Sequence, residues 1–298
     1  MSTTVQREKS MSNPFQPQQR ALSTRRQIAN WLSIALTGLF TVLAASFLLY
    51  LLFFIASQGL AYLNLDFFTQ PPASIGGSGG GVATAIVGSL LVVGLASLIG
   101  IPLGLLTGVY LAEVGRGSFA SAIRFLVDML TGIPSIIFGL FIWVFLVVPS
   151  HSFSGLAGGL ALSIIMIPTV TRATEEVLRL VPQELREASA ALGATASHTT
   201  LRVVLPAARS GIVTGIFLAI ARVAGETAPL LMTAFGSPFF NVDLTRPIDT
   251  LPLRIFNFTL SPYETQIHQA YAGSFVLLVL VILASLTIRW ATGGFRRR

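Results

Sequence analysis

Long apolar runs almost free of charge constrain this chain more than any other feature. The first, from about Trp31 to Ser57, contains no Asp, Glu, Lys or Arg. A helix needs about 20 apolar residues to cross a bilayer, and this run exceeds that. It is also longer than the 7–15 residues, roughly, of a cleavable leader core, so it reads as a span that stays in place. Five more candidate spans follow, at about 82–111, 121–148, 155–178, 208–235 and 270–290. The fourth is the weakest, because Pro168 interrupts it and Arg172 follows. Only 10% of residues are charged, against roughly 25% in a soluble domain, and the mean hydropathy is +0.77. Such a chain cannot cover itself with polar surface in water. The expectation is an all-α membrane protein with six transmembrane helices. Residues 1–27 read as a disordered cytoplasmic tail, 28–298 as one six-span domain, and about 179–207 as its longest inner loop.

Counts of reactive residues remove further classes. With 0 Cys there is no disulfide framework and no thiolate site. The 3 His lie far apart, so no metal site is expected. The single lysine, Lys9, sits in the polar tail, so no glycine-rich loop can form an ATP-binding P-loop. Any ATP must be bound by another subunit. The net charge of +7 comes from residues that flank apolar spans, which orients a membrane protein and argues against nucleic acid. With both termini cytoplasmic, sixteen of the nineteen basic residues fall inside, whereas only Arg246 and Arg254 fall outside. Arg222 lies within the fifth span. An odd number of spans would spoil this bias.

Small residues recur every four positions at Gly100, Gly104 and Gly108, at Gly155 and Gly159, and at Gly211 and Gly215. That spacing lets helices approach closely in lipid. The run Gly76–Gly81 reads as a linker. In the inner loop, Pro182 suits a helix start and Gly193 a C-terminal cap, with Leu185, Ala188, Ala191 and Leu192 on one face. A second short helix is expected from near Ser197 to Leu205. Arg222 and Glu226, four apart, can share a helix face. Intramembrane charges survive by pairing or by lining a pathway, and the residues alone leave both open. Asp128 is one turn from Arg124, so a local ion pair is expected. Pro134 should kink or break the third span, placing Ser135 beside the break. Glu113 reads as a solvated cap.

Two patterns go further. Glu187-Ala188-Ser189, then three residues, Gly193, then nine residues, Val203-Val204-Leu205-Pro206 resembles the EAA motif of ABC importer permeases, with Ser189 and Val203 as mild departures. Ala221-Arg222-Val-Ala-Gly-Glu226-Thr227-Ala-Pro-Leu230-Leu231, and Asp128-Met-Leu-Thr-Gly-Ile-Pro-Ser135-Ile-Ile-Phe-Gly-Leu140, resemble the fifth- and third-span signatures of phosphate-specific transport permeases. The likeness covers the chain from about residue 31, and the Leu-Leu pair with the long outer loop points to the A-type subunit.

The resemblance implies a type I ABC importer permease in the cell (inner) membrane. Arg222, Glu226, Thr227, Ser135 and Asp128 would serve the substrate pathway. Glu187, Ala188, Ser189, Gly193, Leu205 and Pro206 would dock the ATPase. Implied partners are a similar permease subunit in a heterodimer, two copies of a cytoplasmic ABC ATPase, which would bind ATP and Mg, and an external phosphate-binding protein. This chain itself would need no cofactor and would not be an enzyme. An importer of another oxyanion or small solute, a secondary carrier, and a phosphate-sensing membrane component are the alternatives.

Overall fold

The structure is a computed structural model that describes residues 16–73 and 79–291. The expected tail falls outside the described residues up to 15, but its remainder is helical. Helix α1 (Gln16–Gly59) begins well before the apolar run. Residues 18–27 contain no Gly or Pro, and Gln, Arg, Ala and Leu favour helix, so the span's helix extends into the polar segment. The described residues up to Phe54 form one unit. Trp31, Leu39, Phe47 and Phe53 are exposed around its helix, and a helix apolar on all sides suits lipid.

The second unit begins at Ile55. It comprises α2 (Leu65–Thr69), α3 (Ala83–Val109), α4 (Gly117–Gly132), α5 (Ser135–Ile142), α6 (Val148–Ser150), α7 (Gly155–Arg179) and α8 (Gln183–Ala191). It continues with α9 (Ala196–Thr199), α10 (Leu205–Ala224), α11 (Ala228–Thr233), α12 (Leu251–Thr259) and α13 (Glu264–Ala291). Among the described residues, five helical stretches are long and apolar enough to cross a membrane, with a sixth if the bent pair α4–α5/α6 is one span.

The α3–α7 pair is the spine. Gly88, Val92, Ala96, Gly100, Gly104 and Gly108 form a buried stripe every four residues along α3. A Cβ built on Gly100 would meet Met166 at 3.0 Å, on Gly104 Val170 at 2.7 Å, and on Gly108 Thr174 at 2.6 Å. These partners advance together, so α3 and α7 run parallel. Contacts between α7 and α10 run in reverse order: Gly211 faces Val177, and Gly215 faces Ala173. Two parallel spans require a return crossing between them, so the bent pair counts as one span.

Prolines explain the departures from straight helices. Pro134 forces Ile133 into an extended conformation (ψ 132°), and α4 and α5–α6 meet at 100°. The third span is thus broken, not merely kinked. The fifth span also breaks, ending at Ala224 rather than continuing to residue 235, because Pro229 cannot donate and crowds the preceding turn. By contrast, Pro206 does not end a separate short helix. A π-turn at Thr200–Val204 joins α9 to α10, and Ala196–Ala224 forms one span. Wide turns relieve the clash of a proline ring with the preceding carbonyls; another at Trp143–Val147 precedes Pro149.

Candidate functional site: two broken spans and a surface helix

The two breaks meet. Helix α5 packs on α11, where a Cβ on Gly139 would lie 2.5 Å from Pro229. Ser135 is one turn before Gly139, and Thr227 two residues before Pro229, so both stand near this contact. The Thr227 carbonyl accepts N–H groups of Leu230 and Leu231, each at 3.1 Å, which starts α11. Arg222 lies on the last turn of α10, exposed, and Glu226 lies in the break, half-buried. With α10 ending at Ala224, the two do not share a continuous helix face. Among the described residues, neither side chain bonds the other. Arg222, Glu226, Thr227 and Ser135 thus lie at or next to the two breaks, and among the described residues the Arg222 guanidinium and the Glu226 carboxylate carry no ion pair.

Asp128 is elsewhere. Its expected partner, Arg124, points away: Arg124 Nε donates to Glu175 Oε1 at 2.7 Å, and its Nη2 donates to the Leu111 carbonyl at 2.6 Å. Asp128 pairs instead with Arg172 of α7. A helix-spaced partner lost to a neighbouring helix because α7 presents both a carboxylate and a guanidinium to α4. Glu175, 1% exposed, is the centre of this cluster. It also accepts from Arg172 at 3.1 Å and Arg179 at 2.6 Å. Sequence reasoning missed Glu175, although its place in the weakest apolar span was a signal. A buried carboxylate is tolerable only when such donors compensate its lost hydration. Glu113 is likewise no solvated cap: its side chain is 9% exposed and accepts from Arg186 at 2.8 Å.

At the same end, α8 stands on the surface. Its C-terminus is closed by Gly193 at φ +80°, whose N–H reaches the Ala190 carbonyl at 2.9 Å. Glu187 and Ala188 are exposed, and Leu192 is 89% exposed. Leu185, Ala188, Leu192, Gly193, His198 and Val203 line an open groove of about 670 Å³. Ser189 borders the same groove. It is 8% exposed, and its hydroxyl is 2.8 Å from that of Thr199, tying α8 to α9. Leu205 and Pro206 lie in the first turn of α10.

At the opposite end, Asp249 and Arg254 form a buried pair at 2.6 Å. Arg254 also lies over the Phe258 ring at 5.2 Å.

Antiparallel and parallel apolar spans, a helix break in two of them, and a surface helix at one end define a multi-pass membrane protein. Residues 100–298 match the family model of the binding-protein-dependent transport system inner membrane component, and the chain belongs to that family. It is 43% identical over 268 residues, 89% of each chain, to the phosphate transport system permease protein PstA of Yersinia pestis. It is 38% identical over 288 residues, 93% of each chain, to PstA 1 of Mycobacterium tuberculosis. Among solved structures, it resembles a bacterial alginate ABC transporter with TM-score 0.63 and 15% identity, covering 91% of this chain and 97% of that one. It also resembles the MetNI methionine ABC transporter with TM-score 0.56 and 21% identity, covering 72% and 94%. These last two establish the fold: a type I ABC importer permease.

Proposed function

We propose that the chain is a permease subunit of an ATP-driven importer of inorganic phosphate, of the A type. One observation carries the reading: relatives named as phosphate permeases match it at about 40% identity over about 90% of its length. The family match spans both helix breaks and the α8 loop. Arg222, Glu226, Thr227 and Ser135 serve the path. A guanidinium offers phosphate oxygens a fork of charge-assisted hydrogen bonds. A carboxylate accepts only, so Glu226 accepts a hydrogen bond from protonated phosphate and repels sulfate. Asp128 is held by Arg172 and is left out of substrate contact.

The exposed strip of α8, with Glu187, Ala188, Gly193, Leu205 and Pro206 on or beside it, meets a cytoplasmic ABC ATPase that binds ATP and Mg. Ser189 borders the same groove and also ties that loop together through Thr199. A second, similar permease subunit completes the path, and an external binding protein delivers phosphate. Both termini are cytoplasmic.

The test is uptake by the reconstituted complex, with phosphate and sulfate compared. ATP-dependent phosphate uptake is expected, with sulfate a poor competitor; equal uptake of both overturns the substrate. Arg222→Gln should abolish uptake while ATPase assembly persists. Because no ion pair joins Arg222 to Glu226, the swapped Arg222→Glu/Glu226→Arg protein should stay inactive. Restored transport in it overturns the pathway role.

A further inference from the structure

One arginine fastens α8 to α3 and α7, beside the Ser189–Thr199 tie to the span that contains α9 and α10. Arg186 Nη2 donates to Glu113 Oε1 at 2.8 Å and to the Leu178 carbonyl at 2.9 Å, while Nη1 donates to the Val181 carbonyl at 2.5 Å. The guanidinium thus caps the C-terminal end of α7 and grips the π-turn Tyr110–Val114 that ends α3. A second arginine holds the same turn from the other side. Arg124 of α4 donates to the Leu111 carbonyl and to the buried Glu175. The helix ends at this turn, so the Leu111 carbonyl lacks an intrahelical partner and can accept from Arg124. The pairs lie in one unit of the molecule.

We propose that Arg186 is the positioning residue that passes displacement of α8 to α3 and, through the Glu113–Leu111 turn and Arg124, to α4 and its break at Pro134. The inference rests on the importer reading, in which a partner pushes α8. The physical ground is stiffness. Leu185 and Leu192 are exposed, so apolar packing holds α8 loosely on that side, whereas three hydrogen bonds to a planar, permanently charged fork fix it. Without Arg186, α8 could move while α3 and α4 stay. Arg186 makes no contact with substrate in this scheme. Its neighbour Glu187 is exposed on the docking side.

The experiment measures solute uptake and ATP hydrolysis on the same proteoliposomes, using the permease complex with its ATPase. Arg186→Ala and Glu113→Ala are each expected to lower uptake per ATP hydrolysed by about tenfold, within the range of ordinary coupling energies. The double variant should be no worse than Arg186→Ala alone, the sign of a shared interaction. Arg186→Lys should recover part of the ratio, since an ammonium pairs with Glu113 but cannot span the carbonyls as well. A wild-type ratio in both single variants, or losses that multiply in the double variant, overturns the proposal. The ratio is read with whichever solute the wild type carries. A complex that imports something other than phosphate thus defeats the substrate reading alone.

Where alanine variants do not assemble, Arg186→Lys and Glu113→Gln carry spin labels at Ser121→Cys on α4 and Ala190→Cys on α8, in this cysteine-free chain. On nucleotide addition the two labels should keep their separation in the otherwise wild-type protein and move apart in the variants. Equal behaviour in all of them overturns the relay.

Discussion

Single residues matter here for what their backbone or burial permits. Gly193 has φ +80°, and a Cβ there would meet nothing within 4 Å. Its requirement is therefore conformational, not steric, and it can be tested by choosing residues that differ in that respect alone. Gly193→Asn should leave ATPase recruitment near normal, because Asn visits the left-handed region readily. Gly193→Val should lose it, since β-branched residues resist that region; pull-down of the ATPase reads both. Asp249 shows the effect of burial. Desolvation pushes its carboxyl up to about 6, against the pull of Arg254. The native state therefore holds this proton to higher pH than the unfolded chain, where the group titrates near about 3.9. That favours the fold below about pH 4, and the contribution is lost as pH rises through about 6. The thermal midpoint of the purified wild type should fall between pH 4 and 7 relative to Asp249→Asn. Parallel curves for the two would refute this.

At the scale of elements, the α3–α7 contact decides how far the spans can approach. Along α3, small residues face α7, whereas Leu90, Leu98 and Leu106 are exposed on the other side. The Thr171 hydroxyl donates to the Gly104 carbonyl at 3.2 Å, a contact possible only at this close range. Gly104→Leu forces atoms into Val170 and the Ile167 carbonyl, and overpacking of this kind costs about 1–3 kcal/mol. Gly94 lies on the same helix with nothing within 4 Å of its Cβ position. Gly94→Leu should therefore keep the wild-type melting temperature in detergent while Gly104→Leu loses several degrees. A similar drop in both would show that helix propensity, not close approach, governs. The same packing explains α7, whose most apolar window is 61% buried. A helix surrounded by protein rather than lipid can carry Pro168, Arg172 and Glu175, because neighbouring helices supply their partners.

For the whole molecule, charge distribution sets the sides. Basic residues crowd the end that carries α4, α8 and the base of α10, which predicts that this end is cytoplasmic. In the cysteine-free chain, Ser118→Cys and Ser197→Cys should react with an impermeant reagent only from the cytoplasm. Val242→Cys and Thr69→Cys should react only from outside. All four positions are exposed, unlike Thr250, which is buried at 1% and would not report. A swap of sides in either pair sinks the orientation.

Much of this was readable along the chain, because the relevant forces are local. Apolar length marks a span, Pro134 marks a break, and Gly193 marks the end of α8, each through constraints reaching no more than about a turn. The spacing of the EAA-like segment placed the surface loop for the same reason. What only the tertiary structure decided is which partners Arg124, Asp128 and Arg186 take. Arg124 has Asp128 at helical spacing yet binds Glu175, fifty-one residues away, and Arg186 binds Glu113, seventy-three away. In low-dielectric surroundings a charge goes to the site that replaces its hydration most fully. That site depends on which helices lie alongside, and α3, α4, α7 and α8 come together only when small residues far apart in sequence let them pack.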